Sequence, residues 1–151
     1  MLDCISVENM RRSDAETINQ IVQAVHAKYP DVIFYGEGWN MRTAVPAGTA
    51  MANQSNAGHT PHFGYFSDTI RDALRGPMNN ASQPGYSAGG GGFSGGIASC
   101  FKGSPSWCKS PTQTINYASC HDNHALFDRI TMSTPDNSFE DRVKMNNLAA
   151  A

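Results

Sequence analysis

The 151-residue sequence predicts an α/β fold, and three stretches carry that expectation. Each is a strand candidate: "VIFY" at residues 32–35, "HFGYFS" at 62–67 and "QTINYAS" at 113–119. The first follows a helix pattern across a short loop, and the second runs into one. Helix, short loop and buried strand in succession is the repeating step of α/β folds.

The first helix is expected over residues 13–29. "SDAE" has the form of a capping box, with Ser13 as N-cap and Glu16 three residues on. Ile18, Ile21, Val22 and Val25 then fall on one face at helical spacing. Lys28 sits near the C-terminal end and Pro30 closes the helix. "VIFY" is continuously apolar, the pattern of a parallel strand covered on both faces. Beyond the second strand, residues 68–75 read as a short helix capped by Asp68 and stopped at Gly76 and Pro77.

Residues 79–96, "NNASQPGYSAGGGGFSGG", read as a flexible surface loop. They contain a formal GxGxxG between Gly90 and Gly95. No strand precedes it and no acid follows at about 20 residues, so no dinucleotide site is expected. A short helix is expected near 97–102. A last one is expected over 138–151, opened by the box-like "SFED".

Composition removes several function classes. Formal net charge is −2 and there is no run of basic residues, so no nucleic-acid partner and no membrane surface is expected. No apolar stretch approaches the roughly 20 residues of a membrane span. "MLDCISVENMRRSDAE" lacks the basic-then-apolar order of a secretion signal. The localisation stays open, with the cytoplasm slightly favoured. Cys4, Cys100, Cys108 and Cys120 match no zinc-ligand spacing. They read as free thiols, with a Cys100–Cys108 disulfide as the alternative for an exported protein. "CHDNH" gathers Cys120, His121 and His124, but one short cluster without a second does not make a metal set. No metal is expected.

The chemistry-bearing residues stand at two strand ends. Glu37 follows the 32–35 strand, between Gly36 and Gly38 and two residues before Trp39. Asp122 follows the 113–119 strand. In parallel α/β folds functional groups gather at the carboxyl ends of strands, so two such acids can face one cleft. Two carboxylates beside an aromatic face suit glycoside cleavage. One acid protonates the leaving oxygen, and negative charge meets the oxocarbenium-like transition state. Capping of the next helix is the plainer role for an acid in such a place.

The wording of the motifs narrows this reading. "YGEGW" and "INYASCHDN" resemble two blocks of the α-amylase superfamily, and "YGEGW" resembles the type I pullulanases, which cut α-1,6 links in pullulan and branched glucans. "ANQSNAGHTPHFGYFSDTIRDALRG", "HDNHALFDRI" and "RVKMNNLAAA" are similar to further stretches of those enzymes. The glycine-rich insert and "SWC" are the least similar parts.

The resemblance implies an α/β fold that is a partial (β/α)8 TIM barrel, roughly strands five to seven with flanking helices, with residues 1–151 a fragment of that catalytic domain. It implies a retaining α-1,6-glucan hydrolase. Glu37 is then the general acid/base, and Asp122 the carboxylate that binds and distorts the ring. His121 donates a hydrogen bond to the same sugar, Trp39 is the platform on the leaving-group side, and Asn123 contacts substrate or shapes the loop. Asp68, Arg71 and Asp72 also match, either toward substrate or as a cap and a local ion pair. The partner implied is a branched α-glucan, and no cofactor is implied.

The nucleophile block "GFRFD" does not occur in this sequence. The resemblance places it upstream of residue 1 and the last barrel strand downstream of Ala151, so the isolated chain is expected to be inactive. A non-catalytic glucan-binding remnant, an inactive fragment and another debranching activity are the alternatives.

Overall fold

The computed structural model describes the backbone of residues 4–7 and, with side chains, residues 13–39 and 45–151. The Cys4 thiol and Asn40 lie outside the described side chains. Contacts divide the chain into two compact units, Met1–Phe66 with Lys102–Ile115, and Ser67–Phe101 with Asn116–Ala151.

The first unit holds a four-stranded parallel sheet in the order β1-β2-β3-β4. Its strands are β1 (Cys4–Val7), β2 (Ile33–Gly36), β3 (Phe63–Phe66) and β4 (Thr114–Ile115). Register runs Phe34 to Ile5 on one side and to Phe63 on the other. β1 is absent from the sequence-based expectation, because "CISV" is too short and too mixed to show a period. β2 matches the expected strand shifted by one residue. Only its Phe34 and Gly36 are buried, while Ile33 is 45% exposed, so the two faces are not covered alike.

The helix α1 (Ala15–His26) joins β1 to β2, the usual connection between parallel strands. Its cap is Asp14 rather than Ser13. The Asp14 carboxylate accepts from the backbone N–H and the hydroxyl of Thr17. Ser13 lies before the cap, its carbonyl accepting from Ala52 N–H. Ile18 and Val22 are buried as expected, and Val25 packs at the edge of the cluster, but Ile21 is 46% exposed at the margin of the stripe. The helix ends before Pro30, consistent with the bias against helix in a residue that precedes proline. Ile18 and Val22 join Phe34, Ala52, Ala57, Phe63 and Tyr65 in one apolar cluster.

β4 is only two residues long, much shorter than the expected 113–119. Gln113 explains where it starts. Its buried side chain donates to the carbonyls of Ala57 and Thr60 and accepts from Lys109 and Ser110 N–H, within a single 3₁₀ turn at Pro111–Gln113.

The second unit is helical: α2 (Asp68–Arg75), α3 (Ser94–Phe101), α4 (Leu126–Ser133) and α5 (Phe139–Ala150). α2 has the expected bounds, but Ser67 takes the cap position and Asp68 opens the first turn. Arg71 and Asp72 form the local ion pair at 2.7 Å. α5 starts as expected, with the Ser138 hydroxyl accepting from Asp141 N–H. α4 has no counterpart in the sequence-based expectation. Its core positions Leu126, Ile130 and Ser133 do have helical spacing, interrupted by the buried Arg129.

The glycine-rich stretch is not simply a loose loop. Gly76, at φ +97°, lies against the backbone of Gln83 and Gly85 with no room for a side chain. The Ser87 hydroxyl donates to Leu74 C=O, and the Arg129 guanidinium donates to the carbonyls of Pro77, Asn80, Ala81 and Gln83. Cys100, Cys108 and Cys120 are free thiols, so no disulfide joins Cys100 to Cys108. Among the described residues no helix is long and apolar enough to cross a membrane.

Candidate functional site

Glu37 and Trp39 stand in the first unit, on the loop that leaves β2. Both are half-buried. Gly38 between them has φ +63°, a conformation that costs a residue with a Cβ about 1 kcal/mol or more. The space where its side chain would lie belongs to the Tyr65 ring. A Cβ on Gly38 would come within 2.2 Å of Tyr65 Cδ1. The glycine therefore serves the close approach of Tyr65 from β3.

Tyr65 is fully buried, and its hydroxyl shares a 2.6 Å hydrogen bond with Thr60 Oγ1. Burial pushes its phenol up to about 12. Trp107 of "SWC" packs edge-on to the same ring at 6.3 Å and lies, partly buried, against the core cluster.

A second support holds the loop. Gln54 N–H donates to Gly38 C=O at 3.1 Å, and Gln54 Nε2 donates to Phe66 C=O at 2.6 Å. One side chain and its own backbone thus tie the loop after β2 to the end of β3. Asn53 caps the 3₁₀ turn Gln54–His59 by accepting from Asn56 N–H, which fixes Gln54 in place. Gln54 lies within "ANQSN", and a lone glutamine has no sequence pattern that reveals such a role.

His121, Asp122 and Asn123 stand in the second unit, on the segment between β4 and α4. His121 Nε2 lies 3.9 Å from Asp122 Oδ1, and the two side chains are 52% and 61% exposed. Asn123 has φ +66°, the left-handed region that asparagine tolerates better than most residues. That conformation supports the loop-shaping role for Asn123. At the base of the turn the Ser119 hydroxyl accepts from Leu126 N–H at 3.2 Å. Arg75 Nη1 donates to His124 C=O at 3.0 Å.

Asp72 and Arg71 lie beside this segment within the same unit. Arg71 Nη1 donates to Tyr117 Oη at 3.0 Å, and its guanidinium sits over the Tyr117 ring. Burial works against the Arg71 charge, but Asp72 and Tyr117 hold its pKa above the ordinary value. These contacts give Arg71 and Asp72 a structural use without substrate.

Chemically, the first unit offers a carboxylate and an indole two residues apart on one braced loop. The second offers an imidazole and a carboxylate side by side on a tight turn. The pullulanase of Bacillus subtilis (strain 168) is 28% identical to the chain over 144 residues, which is 91% of this chain and 20% of that protein.

The chain is similar to pullulanases. Pullulanase A of Streptococcus pneumoniae serotype 2 is 32% identical over 137 residues, 87% of this chain and 11% of that protein. The crystal structure of pullulanase from Paenibacillus barengoltzii in complex with maltohexaose and alpha-cyclodextrin superposes with a TM-score of 0.91 at 36% identity. It matches 97% of this chain and 24% of that one. The chain thus spans about a quarter or less of each of these pullulanases. No protein-family model matches it.

Proposed function

We propose that this chain is part of the catalytic (β/α)8 barrel domain of a pullulanase-type enzyme that hydrolyses α-1,6 links in branched α-glucans with retention. Its four parallel strands would correspond to consecutive barrel strands, with α1 as one of the outer helices. The likeness to pullulanases over nearly the whole chain supports this reading. The braced loop after β2 is the observation that carries it to residues. A carboxylate at the C-terminal end of a parallel strand, with an aromatic two positions on, is where a barrel enzyme keeps its catalytic groups.

In this mechanism Glu37 gives its proton to the glycosidic oxygen as the bond to the anomeric carbon breaks. A carboxylate outside residues 1–151 attacks that carbon and forms the glycosyl-enzyme. Glu37, now ionised, takes a proton from water as the water's oxygen attacks the same carbon, which releases the sugar and restores both acids. Trp39 stacks against the ring on the leaving-group side. Asp122 and His121 hold hydroxyls of the sugar being cleaved and favour its distorted form. Asn123 shapes the turn that presents them. No step calls for a cofactor.

A glucan-binding part without turnover is the second reading, favoured by the exposed His121 and Asp122 side chains, which can hold sugar hydroxyls without moving a proton. The test that separates the two is Asp122→Asn in the enzyme that carries this chain within a complete barrel. Turnover of pullulan should fall by about 100-fold or more, since the substitution removes charge stabilisation at the transition state. Full activity of Asp122→Asn, or no activity in the parent enzyme, contradicts the hydrolase reading.

A further inference from the structure

The segment 119–126 is closed at its base by Ser119 and Leu126 and turned at its tip by the left-handed Asn123. A side chain from another element grips it. Arg75, the last residue of α2, donates from Nη1 to the carbonyl of His124, directly after that turn.

Arg75 is a costly residue to keep there. It is only 1% exposed, and its Nε has no hydrogen-bond partner. Burial, and then the neighbouring Arg71, depress its pKa below the ordinary arginine value. Among the described residues no carboxylate forms an ion pair with it, and Asp72, whose charge favours it from farther off, is paired with Arg71. Desolvating a cation is unfavourable, and an apolar residue of similar size would pack a helix end without that cost. Arg129, buried in the same unit, differs in kind. Its guanidinium donates to four carbonyls of the 77–83 loop, so its burial is accounted for by the fold alone. Among the described residues Arg75 donates to the segment that carries His121 and Asp122.

We propose that Arg75 is a positioning residue: its bond to the His124 carbonyl fixes the turn at Asn123, and with it the direction of the His121 and Asp122 side chains toward substrate. This rests on the reading of His121 and Asp122 as sugar contacts. Asn123 at φ +66° stores strain that a free turn would release, and a charged donor on the following carbonyl opposes that release. His121 and Asp122 are largely exposed, 3.9 Å apart, on the turn that this bond holds.

The experiment uses the 151-residue chain with Arg75→Met, which keeps the apolar stem, and Arg75→Lys, which keeps one cationic donor. Amide hydrogen exchange is read at residues 121–125 and in α4 and α5, and maltotetraose affinity is measured beside it. The expected result is that Arg75→Met speeds exchange at 121–125 by about tenfold or more while α4 and α5 keep their protection, and that Arg75→Lys recovers part of it. Maltotetraose affinity should fall in parallel.

Unchanged exchange at 121–125 overturns the proposal. Equal loss of protection throughout α4 and α5 also overturns it, since that marks Arg75 as a residue of the fold. If Arg75→Met does not fold, Arg75→Lys decides: wild-type exchange and reduced affinity contradict a positioning role, while faster exchange confined to the turn supports it. Failure of the wild-type chain to bind maltotetraose counts against the sugar-contact reading alone. The exchange pattern then still decides whether Arg75 fixes the turn.

Discussion

Gly38 and Tyr65 occupy one another's space: the ring of Tyr65 fills the position that a side chain on Gly38 would need, 2.2 Å from the nearest ring carbon. Two costs then fall on any substitution at Gly38. The left-handed φ of +63° strains a residue with a Cβ, and the buried ring has no room to retreat. Gly38→Ala should destabilise the chain by about 2 kcal/mol or more, through strain and overpacking together. Urea unfolding checks this, and a midpoint equal to wild type contradicts the packing described for this loop.

Tyr65 also sets an alkaline limit. Its folded-state pKa is about 12 against an ordinary 10.0, because burial disfavours the phenolate. A raised folded pKa contributes stability that is fully present below pH 10 and is lost as pH rises toward 12. In that window the unfolded chain has released the proton and the folded chain still holds it. The slope from this group is about −1.4 kcal/mol per pH unit. Tyr65→Phe gives up the hydrogen bond to Thr60, yet its stability should fall less steeply between pH 10 and 11.5. Denaturant unfolding at several pH values measures both slopes, and identical slopes contradict the account.

Trp39 is expected to act on substrate and not on the fold. It is half-buried, whereas Trp107 packs against the core cluster. Stacking of a sugar face on an indole is worth about 1 kcal/mol or somewhat more. In the enzyme that carries this chain, Trp39→Ala should lower kcat/KM by roughly tenfold, and Trp39→Phe should recover part of it, with melting temperature little changed. A large drop in melting temperature with normal kinetics of the folded fraction makes Trp39 a structural residue.

The legible and illegible parts of the sequence divide along physical lines. α1, α2 and α5 were readable because each combines helical spacing or a start signal with a local stop or cap. β2 and β3 were readable as short apolar runs between turn residues. What escaped is made of long-range polar contacts. Gln113 shortens β4 by bonding carbonyls more than fifty residues away, and Gln54 braces the Glu37 loop through the carbonyls of Gly38 and Phe66. Arg129 converts an apparently loose glycine-rich stretch into a held one. Such bonds leave no period in the sequence. Asn123 is intermediate: "CHDNH" drew attention to the turn, but only the backbone angle gives the asparagine its use. The motif words point to Glu37, Asp122, His121 and Trp39 as candidates, whereas the polar contacts behind their loops show only in three dimensions.

The central claim is that Glu37 is the proton donor in glycosidic cleavage, and one comparison tests it most directly. Glu37→Gln, in the enzyme that carries this chain within a complete barrel, keeps shape and hydrogen bonding but cannot cycle a proton. Initial glycosylation rates are measured on pullulan and on an α-maltotriosyl fluoride, whose leaving group needs little protonation. The account predicts a loss of several orders of magnitude on pullulan and a much smaller loss on the fluoride. Equal losses on the two substrates contradict it.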